Sequence, residues 1–182
     1  MDRIIASIIL VFFSPIIILL LFIILINYKC NPIFIQERTV SGGHIFEFYK
    51  IRSMRKAAPS VPTPEFRDPT LYINRTGRLL RLYSLDESLN LISIVRGDMK
   101  FIGPRPIMLQ EYELITMRMR NGINCKAGVT GLAQINGRDK ISVNRKIACE
   151  RYYNRHKNSL KLRFYIIIKT IWVVLSKSGV SH

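Results

Sequence analysis

Two adjacent carboxylates, Asp86 and Glu87, are the residues of this sequence whose types and spacing best suit chemistry. Ser84 stands three positions before Glu87, a capping-box pattern that predicts a helix beginning at Ser84. Apolar residues then recur at helical spacing, at Leu85, Leu89, Ile92 and Val95. Gly97 is placed to end this helix. Acids in a first turn commonly do no more than complement the helix dipole, and on these residues alone that structural interpretation is favoured.

Basic residues around the acid pair open a second interpretation. Arg81 lies just before the predicted helix, and Arg105 stands between two prolines after it. One carboxylate could ligate a divalent cation together with substrate phosphates, while the other attacks phosphorus as a nucleophile. The pattern is therefore compatible with phosphoryl chemistry as well as with a structural helix start.

Composition indicates anionic partners. The 182 residues carry a formal net charge of +16, from 28 basic and 12 acidic residues. Nucleic acid, acidic lipid headgroups and phosphorylated substrates all fit such a charge, although no recognisable nucleic-acid module is present. The cysteines at 30, 125 and 149 are far apart and lack metal-ligand spacing, which predicts reduced thiols.

An apolar segment near the N-terminus predicts membrane insertion. Residues 4–26 contain no charged side chain, and at ~1.5 Å per residue such a helix can cross the hydrocarbon core. Ser14-Pro15 lies at its centre, where Pro15 removes a backbone hydrogen bond and predicts a kink. The residues leave two topologies open: a bent spanning helix, or a re-entrant helix in which Ser14 helps to satisfy the freed backbone.

The next segment, 31–54, is predicted to form a strand pair or a helix–strand unit around the turn Ser41-Gly42-Gly43. We assign its apolar residues Phe46, Phe48 and Ile51 to a half-buried face. Lys50 and Arg52 are assigned to the opposite face, where they either remain solvated or contact phosphate. Four prolines between 55 and 70 predict a loop.

Helices are predicted over 107–119, 143–158 and 160–175. For the first, we predict an apolar packing face formed by Met108, Leu109, Tyr112, Ile115 and Met119, with Arg118 and Arg120 closing the helix. The last carries Trp172 among lysines, which favours an interfacial helix, with a buried core helix as the alternative. Between these helices lies a glycine-rich segment whose polar residues either bind a nucleotide or satisfy a turn: Gln134, Asn136 and Arg138.

Several of these segments together resemble one known family. The stretch 81–106 resembles the core motif of the small monotopic phosphoglycosyl transferases of the bacterial sugar transferase family. Segments 31–38, 48–54, 103–106 and 128–138 resemble further motifs of that family in the same order, so the likeness covers nearly the whole chain. The chain departs from the family pattern at Leu89, Lys100, Ala127, Val143, Glu150 and Arg163, and the family usually has aspartate at the last two positions.

The resemblance implies an architecture. It is an α/β (α+β) fold with a small sheet and surface amphipathic helices, anchored by an N-terminal re-entrant membrane helix. Residues 1–29 would form that helix, with its break at Ser14-Pro15, and residues 30–182 a cytosolic, membrane-associated catalytic domain. The location implied is the cytoplasmic face of a bacterial inner membrane containing anionic lipids, with no nucleic acid as partner.

The resemblance also implies a reaction: transfer of a phosphosugar from a UDP-sugar to undecaprenyl phosphate, with release of UMP. Asp86 would be the nucleophile that forms a covalent phosphosugar intermediate, and Glu87 the ligand of a Mg²⁺ cofactor. The substrate- and phosphate-binding residues implied are Lys50, Arg52, Arg81, Arg105, Gln134, Asn136 and Arg138. The alternative from another functional class is a membrane-tethered basic protein that only binds anionic lipid or nucleic acid.

Overall fold

The structure is a computed structural model that describes residues 1–58, 69–137 and 141–175. It combines helices with small sheets, so the predicted α+β class is confirmed. The helices are α1 (Asp2–Tyr28), α2 (Arg75–Leu82), α3 (Asn90–Arg96), α4 (Tyr112–Arg120), α5 (Leu132–Ile135), α6 (Val143–His156) and α7 (Leu160–Leu175). The strands are β1 (Ile33–Thr39), β2 (Ile45–Ile51), β3 (Met99–Ile102), β4 (Ile107–Met108) and β5 (Ala127–Thr130).

The chain divides into two compact units. The first contains Met1–Gln36 and Glu47–Arg96, and the second contains Glu37–Phe46 and the described residues from Gly97 onward. A three-stranded sheet has the order β2-β1-β4, and a two-stranded sheet pairs β3 with β5. The single small sheet that the sequence predicted is therefore two small sheets in the described part of the chain.

Helix α1 is 27 residues long and continues through Pro15 without interruption. At 1.5 Å per residue it measures about 40 Å, and its length and composition are sufficient to cross a membrane. Pro15 has no N–H to donate to the carbonyl four residues earlier, that of Val11. The Ser14 hydroxyl donates to that same carbonyl at 2.7 Å, as predicted for a serine that satisfies the freed backbone. Re-entrance itself stays a prediction.

The first unit has its core where α1 packs against α3. Its buried residues are Ile17, Ile24, Ile51, Leu80 and Leu89. The end of α1 is held by Tyr28, whose hydroxyl lies 3.0 Å from the Ser53 carbonyl and 2.7 Å from the side-chain oxygen of Asn74, the N-cap of α2. Any Cβ at Gly77 would overlap the Ser53 carbonyl oxygen, so this close approach requires glycine.

Strand β2 corrects one prediction. Phe48 and Ile51 are buried as expected, but Lys50 does not lie opposite Phe48. The Lys50 ammonium is 5.2 Å from the centroid of the Phe48 ring. Residues two apart on a strand point to the same face, so positions 48 and 50 share a face while Ile51 points to the other.

The second unit is built on the parallel pair of β3 and β5, in which Met99 lies opposite Ala127 and Ile102 opposite Thr130. Ile102, Tyr153 and Ile166 form its buried cluster. The Tyr153 hydroxyl donates to the Ile102 carbonyl at 2.8 Å, which ties α6 to the end of β3. Helices α6 and α7 confirm the predictions over 143–158 and 160–175.

Helix α4 differs from its prediction in extent and in orientation. It begins at Tyr112 because Ile107 and Met108 form β4, where Ile107 pairs with Thr39. The predicted packing face is wrong, since Tyr112 is 73% exposed and Met119 is 61% exposed. The helix instead buries Leu114 and Arg118, because Arg118 has a charged partner inside the second unit.

Candidate active site

The acid pair lies in a single 3-10 turn, Leu85–Glu87, directly before α3. Asp86 is buried, with 7% of its surface exposed. The predicted capping box is wrong: Ser84 has a left-handed backbone (φ 55°), and its side chain makes no capping hydrogen bond. Gly97, with φ 92°, follows the last residue of α3 as predicted.

Glu87 pairs with a lysine from β2. Lys50 Nζ donates to Glu87 Oε1 at 3.1 Å, and the two side chains are only 20% and 15% exposed. Sequence reasoning placed these residues separately, one on a phosphate and the other on a metal, and the structure brings them together. A largely buried carboxylate that accepts a hydrogen bond from an ammonium is fixed in position.

Polar groups near the acid pair lack partners within the described residues. The Ser88 hydroxyl and both polar atoms of the Asn90 amide are buried without a hydrogen bond, and Asn90 is 1% exposed. Buried polar groups are normally satisfied by protein or water, so these atoms offer hydrogen-bonding capacity close in sequence to Asp86 and Glu87. Sequence reasoning missed Asn90, because a polar residue on a short helix that also contains Ser93 and Arg96 gives no local signal of function.

The two other predicted binding arginines of the first unit have different surroundings. Arg81 lies in the last turn of α2, and its Nη1 is 3.6 Å from the sulfur of Met54, a weak acceptor. Arg52 donates from Nε to the Asn31 carbonyl at 2.7 Å, and its guanidinium lies 5.6 Å from the centroid of the Phe34 ring. Arg52 is thus held by a hydrogen bond to the backbone and by a ring contact, whereas the contact of Arg81 with sulfur is weak.

Arg105 belongs to the second unit, in a turn pinned by its backbone. The Gly103 amide donates to the Thr130 carbonyl at 2.8 Å, and the Gly128 amide donates to the Pro104 carbonyl at 2.9 Å. A Cβ at Gly128 would overlap the Gly103 backbone nitrogen. Gly103 and Gly128 thus allow the backbones of segments 103–106 and 128–137 to approach closely. Arg105 itself is partly exposed.

The remaining predicted residues lie in and after α5. Gln134 has a buried side-chain amide with no hydrogen-bond partner within the described residues. Asn136 instead donates its amide to the Leu132 carbonyl at 2.7 Å, which satisfies a turn. Arg138 lies outside the described residues. Of the described pair, Gln134 thus has the greater capacity left for a ligand.

A buried charge cluster in the second unit was not predicted. Arg118 is fully buried, and its Nε and Nη2 donate to the two carboxylate oxygens of Glu150 at 2.7 and 2.5 Å. Burial lowers the pKa of Lys146, one turn before Glu150, and the nearby Arg118 lowers it further. Glu150 was noted only as a departure from aspartate, and it retains the carboxylate at that position.

The donor set for a cation is small. Within the described residues, no group of three or more His, Cys, Asp or Glu side chains could hold a metal ion. Mg²⁺ is commonly bound through one or two carboxylates together with substrate phosphates. Asp86 and Glu87 fit such a shared site in donor type and number, since they are two adjacent carboxylates in one turn.

Comparison with known proteins shows the family to which the chain belongs. The bacterial sugar transferase family matches residues 1–177. An uncharacterized sugar transferase of Bacillus subtilis, EpsL, is 32% identical over 84% of this chain and 74% of its own length. The exopolysaccharide production protein ExoY of Rhizobium meliloti is 30% identical over 98% of this chain and 85% of its own. The UDP-glucose:undecaprenyl-phosphate glucose-1-phosphate transferase of Caulobacter vibrioides is 31% identical over 75% of this chain and 52% of its own.

These matches define the class of protein as a sugar-phosphate transferase. The chain belongs to the bacterial sugar transferase family, which confirms the resemblance drawn from its motifs. The alternative hypothesis, a basic protein that only binds anionic lipid or nucleic acid, does not explain why the chain belongs to this family of transferases.

Proposed function

We propose that this chain transfers a phosphosugar from a UDP-sugar to undecaprenyl phosphate and releases UMP. The reaction would be the first membrane step in assembling a capsule, O-antigen, exopolysaccharide or glycoprotein glycan. The name of the Caulobacter relative describes such a transfer with UDP-glucose, and that of ExoY describes exopolysaccharide production. The observation that carries the proposal is the buried Asp86 carboxylate beside the fixed Glu87–Lys50 pair.

In the first step, a carboxylate oxygen of Asp86 attacks the phosphorus that bears the sugar. A bond forms between that oxygen and phosphorus, and the bond from phosphorus to the bridging oxygen breaks. UMP leaves with the electron pair. The burial of Asp86 supports this route, because a site that excludes water protects an acyl phosphate from hydrolysis.

In the second step, a phosphate oxygen of undecaprenyl phosphate attacks the same phosphorus. The phosphorus–oxygen bond to Asp86 breaks, the carboxylate is restored, and the sugar is left on a polyprenyl diphosphate. Dividing one displacement into two in this way predicts ping-pong kinetics.

Positive charge at the site has a defined task in both steps. Lys50, Arg81 and Arg105 would neutralise the phosphates, with Gln134 as a further substrate contact. Glu87 would hold Mg²⁺, which when bound neutralises phosphate charge and polarises phosphorus. The Lys50 ammonium orients the Glu87 carboxylate through its hydrogen bond, and thus supports the binding of both the cation and the donor.

The membrane supplies the second substrate. We propose that α1 inserts as a re-entrant helix into the cytoplasmic membrane, so that the catalytic residues lie on the cytoplasmic face. The Ser14–Val11 hydrogen bond supports this proposal, because it satisfies the carbonyl that Pro15 leaves without a backbone donor. The net charge of +16 suits an anionic lipid surface.

The test uses the full chain in lipid nanodiscs with Mg²⁺, undecaprenyl phosphate and a panel of UDP-sugars. We expect UMP release with at least one donor and none with Asp86→Asn. Asp98→Asn is the matched control, because Asp98 pairs with His44 in the second unit at 3.4 Å and should retain activity. A wild-type chain that releases no UMP with any donor would contradict the proposed reaction.

The covalent step has its own readout. Incubation with a donor labelled in its sugar, without acceptor, should place the label on the proteolytic peptide that contains Asp86. Turnover with no label on that peptide would favour direct transfer and exclude the two-step route.

A further inference from the structure

Arg118 makes four hydrogen bonds in the interior of the second unit. Nε and Nη2 bind the Glu150 carboxylate, Nη1 donates to the Val40 carbonyl at 3.0 Å, and Nη2 donates to the Arg105 carbonyl at 3.0 Å. The side chain is fully buried, and Glu150 is 2% exposed. One fixed guanidinium therefore links a carboxylate on α6 to the backbone of the turn that carries Arg105.

That turn is held partly by backbone hydrogen bonds and partly by a side chain. Pro104 and Pro106 have no N–H, so two of the donors that would tie a loop to its neighbours are absent. The Pro104 carbonyl accepts from Gly128, and the Arg105 carbonyl accepts from Arg118. The Arg105 carbonyl is thus held by a side chain, whereas the carbonyl of Pro104 is held by the backbone amide of Gly128.

Stability alone is a poor account of such a pair. A buried ion pair costs desolvation energy, and well-packed apolar replacements are often equally stable or more stable. The clearer effect of the Arg118–Glu150 pair is on geometry. A carboxylate that binds two guanidinium nitrogens fixes the plane of the guanidinium, and hence the direction of its other N–H donors. Here one of those donors is directed at the Arg105 carbonyl.

We propose that Glu150, acting through Arg118, is a positioning residue that presents Arg105 to a phosphate of the donor. The inference rests on the proposed function, in which Arg105 binds phosphate. Glu150 does not contact the substrate in this role. It orients Arg118, and Arg118 in turn holds the backbone carbonyl of Arg105.

The test is a double-mutant cycle on the affinity of the full chain for UDP with Mg²⁺, measured by calorimetry in nanodiscs. Arg105→Ala should raise the Kd roughly tenfold, as expected for a lost charge-assisted contact. Glu150→Gln should raise it by a similar factor. The double variant should remain near the single variants, because Glu150 acts only through Arg105, and a coupling of about tenfold is typical of residues in one network.

Asn154→Ala is the matched control. Asn154 also lies on α6 and donates to a backbone carbonyl, that of Gly122 at 3.0 Å, but it has no connection to Arg105. We expect this variant to leave the Kd unchanged, alone or combined with Arg105→Ala. If Glu150→Gln lacks a cooperative thermal transition, the cycle is run with Arg118→Lys. That variant keeps a buried cation but cannot bind the carboxylate and the Arg105 carbonyl together.

Three results would overturn the inference: effects that multiply in the cycle, an unchanged Kd in Glu150→Gln, or an unchanged Kd in Arg105→Ala. The proposed function fails separately. A chain that binds UDP and shows the coupled cycle but releases no UMP would refute the reaction and leave the positioning role standing.

Discussion

The ammonium of Lys50 lies 3.1 Å from Glu87 Oε1, so a cation from strand β2 is bound to the carboxylate that follows Asp86 in sequence. The two residues are 37 positions apart, and the fold of the first unit brings them together. Lys50 therefore positions Glu87, the proposed metal ligand, and also adds a positive charge to the proposed site.

Lys50→Met should lower kcat/KM for the UDP-sugar by roughly 10- to 100-fold, because it leaves a largely buried carboxylate without its cation. Lys50→Arg should restore part of the activity. The measurement is the initial rate of UMP release at varied donor and Mg²⁺ concentrations. Lys56→Met is the control, since Lys56 is exposed and the substitution changes net charge equally. If Lys50→Met and Lys56→Met lost equal amounts of kcat/KM, the loss would be explained by the change in net charge and not by the Lys50–Glu87 contact.

Gly128→Ala should destabilise the chain by about 3 kcal/mol, because the new methyl group would overlap the backbone nitrogen of Gly103 and neither backbone can move freely. The readout is the thermal unfolding midpoint in detergent. Gly43→Ala is the matched control: a Cβ there meets nothing within 4 Å, and we expect a change within about 0.5 kcal/mol. A Gly128→Ala chain as stable as Gly43→Ala would contradict the close packing of the two motifs.

Local patterns were sufficient for much of the fold. The uncharged run predicted α1, and the pattern of residues 143–175 predicted α6 and α7. For residues 31–54 a strand pair was one of two predicted alternatives, and the structure has the strand pair β1 and β2. These elements are determined by short-range periodicity and turn chemistry, which a single sequence displays. The placement of Lys50 was wrong although strand alternation contains the answer, since positions 48 and 50 share a face.

The errors at the site came from long-range pairing. Ser84 and Glu87 match a capping box, yet the Ser84 side chain makes no capping hydrogen bond and the Glu87 carboxylate binds Lys50. Arg118 was assigned only to the end of its helix, and its burial was not predicted, because an arginine is ordinarily exposed and the Glu150 carboxylate that makes its burial possible lies 32 residues away. No local window contains both partners, so propensity alone cannot predict either contact.

The stability of the chain should rise with pH in alkaline solution through Lys146. Burial holds the pKa of this lysine below its ordinary value of 10.5 in the folded chain, assisted by the charges of Arg118 and Arg105, while Glu150 and Glu111 oppose the shift. Between the folded pKa and 10.5 the unfolded chain binds more protons, so stability increases as pH rises through that window. Below the folded pKa the charged lysine destabilises the fold at its full cost.

Lys146→Met should therefore stabilise the chain at pH 7, on the order of 1 kcal/mol, and remove part of the alkaline rise. Thermal unfolding between pH 7 and pH 10.5 checks both effects. Lys157→Met, at the C-terminal cap of the same helix and exposed, should change neither. A Lys146→Met chain that is less stable than wild type at pH 7 would contradict the direction of the pKa shift.

The topology of α1 should depend on Pro15. In the wild type, the Ser14 hydroxyl occupies the Val11 carbonyl that Pro15 leaves without a backbone donor, so a bend there does not expose an unsatisfied group to lipid. We therefore expect reporter tags on both termini to be accessible from the cytoplasm. Pro15→Leu restores the N–H and removes the ring, which should favour a straight spanning helix and move the N-terminal tag to the periplasmic side.

Ile16→Leu is the control for that experiment, because it changes the neighbouring apolar residue without altering a backbone donor, and both tags should stay cytoplasmic. A periplasmic N-terminal tag in the wild type would refute re-entrance. A cytoplasmic N-terminal tag in Pro15→Leu would show that the bend is set elsewhere, through the packing of Ile17 and Ile24 in the first unit rather than through the proline.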